Sequence, residues 1–361
     1  MIDSTFTPDP SPVPLFCPGC LKSEAGLASV ALAEKRQAAA DDIVDWCPQC
    51  GMEYPRVEGI HCLPPDLAAF RSEQAFALEP GWLPANEDAV DAAVRAASHI
   101  DPGTELFRET VLPAIYGLAH FPETAADPLL CAELASNSHT IDTLTGWLDR
   151  HTIPAGAPAR CGLEVGCGVG RLLHALAPRL PDGAVGLDLR LSMLRVAQRL
   201  SRTGEVYLPF RTEGRRFEPV RIAASTDGHG LRHFVQADVT ALPFAPGTFP
   251  LIATMSLIDV VPAPLRMLRD LDALLAPGGL LLIATPYHWQ PHTTPPENWW
   301  STGDSTGPST LRIALMGGHP ALPRLNYDIL ESIPDLPWGL PGHRRFVYRY
   351  FLDGLLARKR R

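Results

Sequence analysis

The chain has 361 residues, 46% of them apolar, and a formal net charge of −9. That length allows two or three structural units with a sizeable core, and no apolar run reaches the ~18 residues of a membrane span. The acidic excess lies in residues 1–100, which carry 6 basic and 15 acidic side chains against 25 and 25 in the rest, so the whole does not favour a phosphate backbone as its partner. The opening MIDSTFTPDPSPVP lacks the basic patch and apolar core of a secretory signal. The cytoplasm is therefore the expected compartment, with no membrane partner, and residues 1–15 are expected to form a disordered, Pro-rich tail.

Residues 16–66 are expected to form one small unit. It holds two CxxC pairs, Cys17/Cys20 and Cys47/Cys50, separated by 26 residues. Each pair can present two thiolates from one tight knuckle, and four sulfurs suit tetrahedral zinc. In a reducing compartment that spacing favours metal over disulfides. A helix or long hairpin is expected between the pairs, and the metal would supply much of the unit's folding energy. The string CPxC…CPQCGxxYPxxxGIxxLPPD resembles the small zinc-ribbon activator subunit of transfer-RNA and protein methyltransferases, and ribbons fused to the front of bacterial methyltransferases. Where that pattern often has Leu before its LP, this chain has His61 and Cys62. These two read as extra ligands or, the favoured alternative, as a buried structural pair.

Residues 67–150 read as a helical connector. NEDAVDAAVRAASHI has a polar cap at Asn86 followed by apolar positions at helical spacing. ELFRETVLPAIYGLAHF and LLCAELASNSHTIDTLTGWLDRH have the same character. These helices are expected to join the ribbon to the next unit and to cover its site. TIPAGAPAR, residues 152–160, reads as a linker.

From there strands alternate with helices through residue 285 or so, which predicts an α/β unit over 151–361 built on a parallel, doubly wound sheet. Residues 204–222 break the rhythm and read as an inserted hairpin around a Glu-Gly turn. The first strand runs into LEVGCGVGR, where Gly166, Gly168 and Gly170 follow Glu164. Such a turn between first strand and first helix holds a nucleotide-like ligand at the carboxyl edge of the sheet. Asp188 ends the second strand, eighteen residues past Gly170, where a carboxylate can accept ribose hydroxyls. QADVTALPF follows the third strand, and a PGG turn precedes the fifth.

This acidic-x-GxGxG pattern with its later acids resembles the S-adenosylmethionine (SAM) methyltransferases of Rossmann-like fold. The resemblance implies that Glu164, Gly166, Gly168, Gly170 and Asp188 hold the methyl donor. It also implies that Asp238 meets the adenine amino group and that the Val239 amide meets the ring. One departure is Pro250, where the family often has Asp opening its fourth strand.

Acceptor residues are expected after strands four and five. TPYHWQPHTTPPENWW, residues 285–300, packs one Tyr, three Trp, two His, one Glu and one Asn into a Pro-rich loop. Aromatic walls with a few polar groups suit a small planar or cationic acceptor; the alternative is a lid packed on the connector helices. Ser256 and Asp259 follow strand four, and Asp259 reads either as an acceptor contact or as a helix cap. This loop, with the later LPWGLPGHRRFVYRYFLDGLLARK, is similar to the methyltransferase domain of ovothiol biosynthesis, a 4-mercaptohistidine methyltransferase family. The likeness covers roughly residues 155–361, implies an imidazole nitrogen as acceptor, and implies an Arg-rich helix near the C-terminus. Under it, Glu297 or Asp259 would hold the ring N–H. Tyr287, Trp289 or Trp299 would stack on the ring, and Arg344 or Arg345 would pair with a carboxylate. The zinc ribbon has no counterpart in that family.

Two rival readings stay open. A ribbon ahead of a SAM domain also resembles bacterial ribosomal-RNA guanine methyltransferases, which would make nucleic acid the acceptor. The acidic N-terminal half opposes that reading. A SAM-binding scaffold that docks a partner protein through its ribbon is the third reading.

Overall fold

The computed structural model describes residues 11–21, 30–36, 43–227, 231–300 and 303–360. The chain begins at a short helix α1 (Pro18–Leu21) and runs through β1 (Ala33–Arg36), β2 (Ile43–Trp46), β3 (Glu53–Val57) and β4 (Ile60–Leu63). β1 and β2 form an antiparallel hairpin, as expected for the stretch between the Cys pairs. The packed region starts earlier than expected, because Val13 and Leu15 are buried against the Cys17 and Cys47 side chains and their neighbours. Residues 1–10 of the expected tail lie outside the described residues.

Helices follow: α2 (Leu67–Glu73), α3 (Ala75–Leu78), α4 (Glu87–His99), α5 (Glu105–His120) and α6 (Pro128–Arg150). Each of the three long ones starts at a side-chain cap that satisfies an otherwise orphaned N–H. Asn86 accepts from Ala89, Thr104 from Phe107 and Asp127 from Leu129. α5 is buried on nearly every side despite Pro113 in its interior. It is held by Glu109, which pairs with Arg190 and accepts from Ser192 Oγ.

The alternating half supplies β5 (Gly162–Val165), α7 (Arg171–Leu176), β6 (Ala184–Asp188), α8 (Leu191–Thr203), β7 (Glu205–Glu213), β8 (Arg216–Ala223) and β9 (Arg232–Ala237). It ends with β10 (Phe249–Met255), α9 (Pro264–Leu274), β11 (Leu275–Thr285), α10 (Gly307–Leu315), β12 (Tyr327–His343) and β13 (Phe346–Lys359). β7 and β8 form the expected separate hairpin. All other strands join one sheet in the order β1-β2-β3-β4-β9-β6-β5-β10-β11-β13-β12. The central strands run parallel and are buried along almost their whole length, as strands covered on both faces must be. Pro250 falls at the β10 start, and the pairing with β11 shifts register beside it, because Pro has no N–H to give the ladder.

Two arrangements differ from sequence expectation. The ribbon is continuous with the main sheet: β4 pairs in parallel with β9, with His61, Cys62 and Leu63 opposite Val235, Gln236 and Ala237. The Arg-rich stretch near the C-terminus is a strand, not a helix. Its alternating Phe346, Tyr348, Tyr350 and Leu352 put rings and apolar groups on one face, which fits the pleat. β13 pairs antiparallel with β11 and closes that sheet edge. Among the described residues no helix is long and apolar enough to cross a membrane.

Candidate active site

Chain order reverses at β5, whose neighbours β6 and β10 lie on opposite sides, so the crevice for a ligand opens at the carboxyl ends of these strands. The glycine turn leaves β5 there. Gly166, Gly168 and Gly170 all have positive φ (76°, 54° and 86°), which a side chain would strain. A Cβ on Gly166 would also lie 3.0 Å from Leu257. Asp188 staples the turn: one carboxylate oxygen accepts from the Gly168 N–H at 2.9 Å and the other from the Arg190 N–H at 2.9 Å. Burial lifts Asp188 above its ordinary value, against the backbone amides of Arg190, Gly168 and Leu189.

Glu164 is buried, and one of its oxygens has no partner. Burial pushes its carboxyl well above the usual range, opposed by the Leu173 backbone. A ligand's ammonium group is the chemistry that would satisfy this oxygen. Asp238 stands just past β9 and accepts from the Thr240 N–H at 2.8 Å, with Val239 half-buried beside it. The turn, Asp188 and Asp238 thus sit at the ends of adjacent strands, and their chemistry fits SAM.

Beside the turn lies a cavity of about 80 Å³, open to solvent, walled by Tyr116, Ser256, Asp259, His288, Trp338 and Tyr350 among others. Ser256 and Tyr287, directly after β10 and β11, both hold left-handed backbone (φ 52° and 53°) without being glycine. Such strain persists only where surrounding contacts impose it, and it clusters at functional sites. Asp259 is 1% exposed. Its Oδ2 accepts from the His288 N–H at 2.6 Å, while Oδ1 has no partner. Burial raises its pKa, against the His288 and Asp259 backbone amides and the Thr285 hydroxyl.

The other residues singled out in the 285–300 loop are placed differently. Tyr287 donates to Asp353 at 2.9 Å, and Arg312 grips the same carboxylate through two nitrogens. Trp289 packs against the core with Trp300, ring centroids 5.7 Å apart. Trp299 donates to the Thr294 carbonyl at 2.8 Å, and Thr294 donates in turn to the Asp259 and Val261 carbonyls. Trp299 therefore braces the segment that carries Asp259 through Thr294, while Tyr287 and Trp289 anchor their own loop. Glu297 is exposed and lines a separate cavity of about 420 Å³ with Trp299, Trp300 and Ala263. Arg344 and Arg345 lie at the β12–β13 turn, paired with Asp127 and Glu213.

Sequence reasoning missed the walls contributed from afar. Tyr116 and His120 on α5 approach the glycine turn: His120 Cε1 would be 3.5 Å and Tyr116 Cδ1 3.9 Å from a Cβ on Gly168. Trp338 and Tyr350 come from the closing hairpin, and His120 contacts Trp338 edge to face, centroids 5.6 Å apart. The only sequence signal was the expectation that the connector helices cover the site.

At the ribbon, the sulfurs of Cys17, Cys20, Cys47 and Cys50 all lie within 4.8 Å of one another. Two of these separations are 3.6 Å and 3.7 Å. A zinc ion with ~2.3 Å bonds sets its four sulfurs about 3.8 Å apart, so this cradle fits zinc and is too open for disulfides. Burial pulls the Cys47 thiol up, but the backbone amides of Cys50 and Gln49 outweigh it and hold it at about 7. His61 and Cys62 stand outside this group. His61 Nδ1 lies 2.7 Å from Asp45, whose other oxygen takes Arg56 at 2.6 Å, forming a buried network across the ribbon's own strands.

A family model described as a methyltransferase domain matches residues 130–320. Ubiquinone biosynthesis O-methyltransferase of Xanthomonas campestris pv. campestris is 28% identical over 138 residues, 38% of this chain. The match spans about half (48%) of the length of that relative. Among solved structures, magnesium protoporphyrin IX methyltransferase from Synechocystis PCC 6803 with bound SAM is 14% identical, with 76% of this chain and 100% of that one covered and a TM-score of 0.41. Haemonchus contortus phosphoethanolamine N-methyltransferase 2 in complex with SAM is 18% identical, with 40% and 28% covered and a TM-score of 0.28.

Proposed function

The chain belongs to the methyltransferase-domain family, with a class I, SAM-dependent domain, and from that premise we propose that it methylates a ring nitrogen of a small molecule, an imidazole of the thiol-histidine kind. The observation that carries this reading is Asp259: a buried carboxylate with one oxygen pinned and the other unpartnered, in an aromatic-walled cavity beside the glycine turn.

An imidazole seated there gives its N–H to Asp259 Oδ1, which fixes the tautomer and leaves the other nitrogen's lone pair free. Tyr116, Trp338 and Tyr350 wall the ring and exclude water. SAM, when bound, supplies the methyl group, so that a nitrogen–carbon bond forms as the sulfur–carbon bond breaks. The positive charge that develops on the ring falls beside Asp259, which then takes the ring proton. Glu164, Gly166, Gly168, Gly170 and Asp188 hold the donor, with Asp238 and the Val239 amide at its adenine. Tyr287 and Trp289 act as braces for the loop, and Glu297 stands apart from the acceptor.

We further propose one structural zinc on Cys17, Cys20, Cys47 and Cys50. In this reading residues 16–66 are the ribbon, 67–150 the connector and 151–361 the catalytic unit.

The test is methyl-labelled SAM incubated with the protein and a cell extract split into small-molecule, RNA and protein fractions. Label in the small-molecule fraction, appearing more slowly with Asp259→Asn, is expected. Label in RNA or protein instead would sink the reading.

A further inference from the structure

We propose that the acceptor site continues outward as an aromatic ladder on β13, so that the acceptor carries a second, uncharged planar or aromatic group beyond the ring that is methylated. This rests on the cavity and the ring nitrogen of the reading above, and departs from a thiol-histidine in one respect, a ring in place of its charged amino-acid tail. Tyr350 is a wall of the cavity and meets His288, also a wall, with centroids 5.5 Å apart. Two residues on along the same strand face, Tyr348 lies 6.3 Å from Tyr350 with the rings only 23° from parallel. Phe346 follows at 4.4 Å from Tyr348. Across the ladder, Trp338 pairs with Tyr350 and Leu340 with Tyr348, and both Trp338 and Leu340 line the cavity. One continuous face thus runs from the cavity to the hairpin turn.

The inner ring of this ladder is half-buried, but Tyr348 and Phe346 are 48% and 43% exposed. Scattered single apolar residues on a surface need no explanation, but a contiguous row leading out of a cavity marks a binding surface. Its charge balance narrows the occupant. Arg344, Arg345 and Arg349 around the turn are each within ion-pair reach of an acid, namely Asp127, Glu213 and Glu133. What the face offers a ligand is ring surface, which recognises another flat, uncharged ring. Continuity with the cavity makes that ring part of the acceptor rather than of a separate partner.

The experiment measures binding by calorimetry in the presence of S-adenosylhomocysteine, with two pairs of probes: imidazole and 4-phenylimidazole, and phenol and 4-phenylphenol. In at least one pair the two-ring member is expected to bind about tenfold more tightly, the scale of one favourable aromatic contact. That gain is expected to vanish in Phe346→Ala/Tyr348→Ala, with S-adenosylhomocysteine affinity and melting temperature as controls for an intact fold. Absence of a two-ring gain in both pairs, or its survival in the double variant, overturns the ladder. Preference between the pairs reports separately on the methylated atom. If only the phenols bind, the ring-nitrogen reading fails while the ladder is still judged on the phenol pair. Dimerisation of wild type lost in the double variant, without any two-ring gain, would make the face an interface between copies and also overturn the proposal.

Discussion

Asp188 and Asp259 are the two carboxylates on which the proposed site turns. Asp188 was legible in the sequence because its place depends only on local order: a strand end at a set distance from a glycine turn. Its second task, holding the Gly168 and Arg190 amides, is a property of the fold. Asp188→Ala is therefore expected to weaken S-adenosylhomocysteine binding by about 100-fold, as loss of charge-assisted hydrogen bonds implies, and titration calorimetry would show it. An unchanged affinity would remove Asp188 from the donor site. Asp259 could be read from sequence as either a contact or a helix cap, since the partner that decides, the His288 N–H, lies twenty-nine residues away. Its raised pKa gives two expectations of opposite sign. Turnover that needs the carboxylate ionised should fall as pH drops through a value above the ordinary carboxylate range. Stability runs the other way, because the folded state holds the proton more tightly than the unfolded chain and so loses stability as pH rises through that window. Asp259→Asn is expected to flatten the acid limb of kcat/KM, lower the rate, and raise the melting temperature near neutral pH. A variant that loses stability without altering the pH profile would mark Asp259 as structural only.

At the scale of elements, the ribbon and the closing hairpin carry the lesson. The four cysteines were readable because a CxxC knuckle is local, and two of them supply a complete donor set. That the ribbon's last strand continues the main sheet was not readable, since IHCL gives no sign of its partner. The pairing of β4 with β9 places the ribbon next to the strand that leads to Asp238. Stripping zinc with a chelator is thus expected to release one zinc per chain, lower the melting temperature and weaken donor binding as well. Retained donor affinity with full zinc loss would show the ribbon to be uncoupled from the site. Within the ribbon, Asp45→Ala leaves Arg56 and His61 without their shared buried partner. Breaking a buried pair costs about 3–5 kcal/mol, so denaturant unfolding should report a loss of that size, and a loss under 1 kcal/mol would refute the network's role. The C-terminal stretch illustrates the converse. Its arginines suited a helix surface, but its alternating rings and the open edge of β11 decided for a strand.

Across the whole molecule, burial of two histidines sets a pH window. His120 and His174 are both pulled down to about 3, chiefly by burial, with the positive charge of Arg171 adding to it. In the unfolded chain they take up protons near the ordinary value of about 6.5, whereas the folded state does not until about pH 3. The unfolded state therefore binds more protons in that window, and stability should decline as pH falls from about 6.5 toward 3. Replacing both by Phe and Leu (His120→Phe, His174→Leu) should flatten that decline, and a slope unchanged in the double variant would count against it.

The sequence by itself determined the class of fold, the glycine turn with its later acids, and the placing of four thiols in two CxxC pairs. Each of these rests on short-range order: the period of apolar residues, the glycines of one turn, the spacing of two thiols. Only the tertiary structure decided what lines the cavity proposed for the acceptor. Its walls come from α5, the loops after β10 and β11, and the β12–β13 hairpin, segments more than two hundred residues apart. The dense loop at residues 285–300 drew attention by composition, but its aromatic residues mostly pack against one another and against the core. The rings that face the cavity were chosen by sheet closure, because only the antiparallel return of β13 beside β11 brings Tyr350 and Trp338 over the crevice.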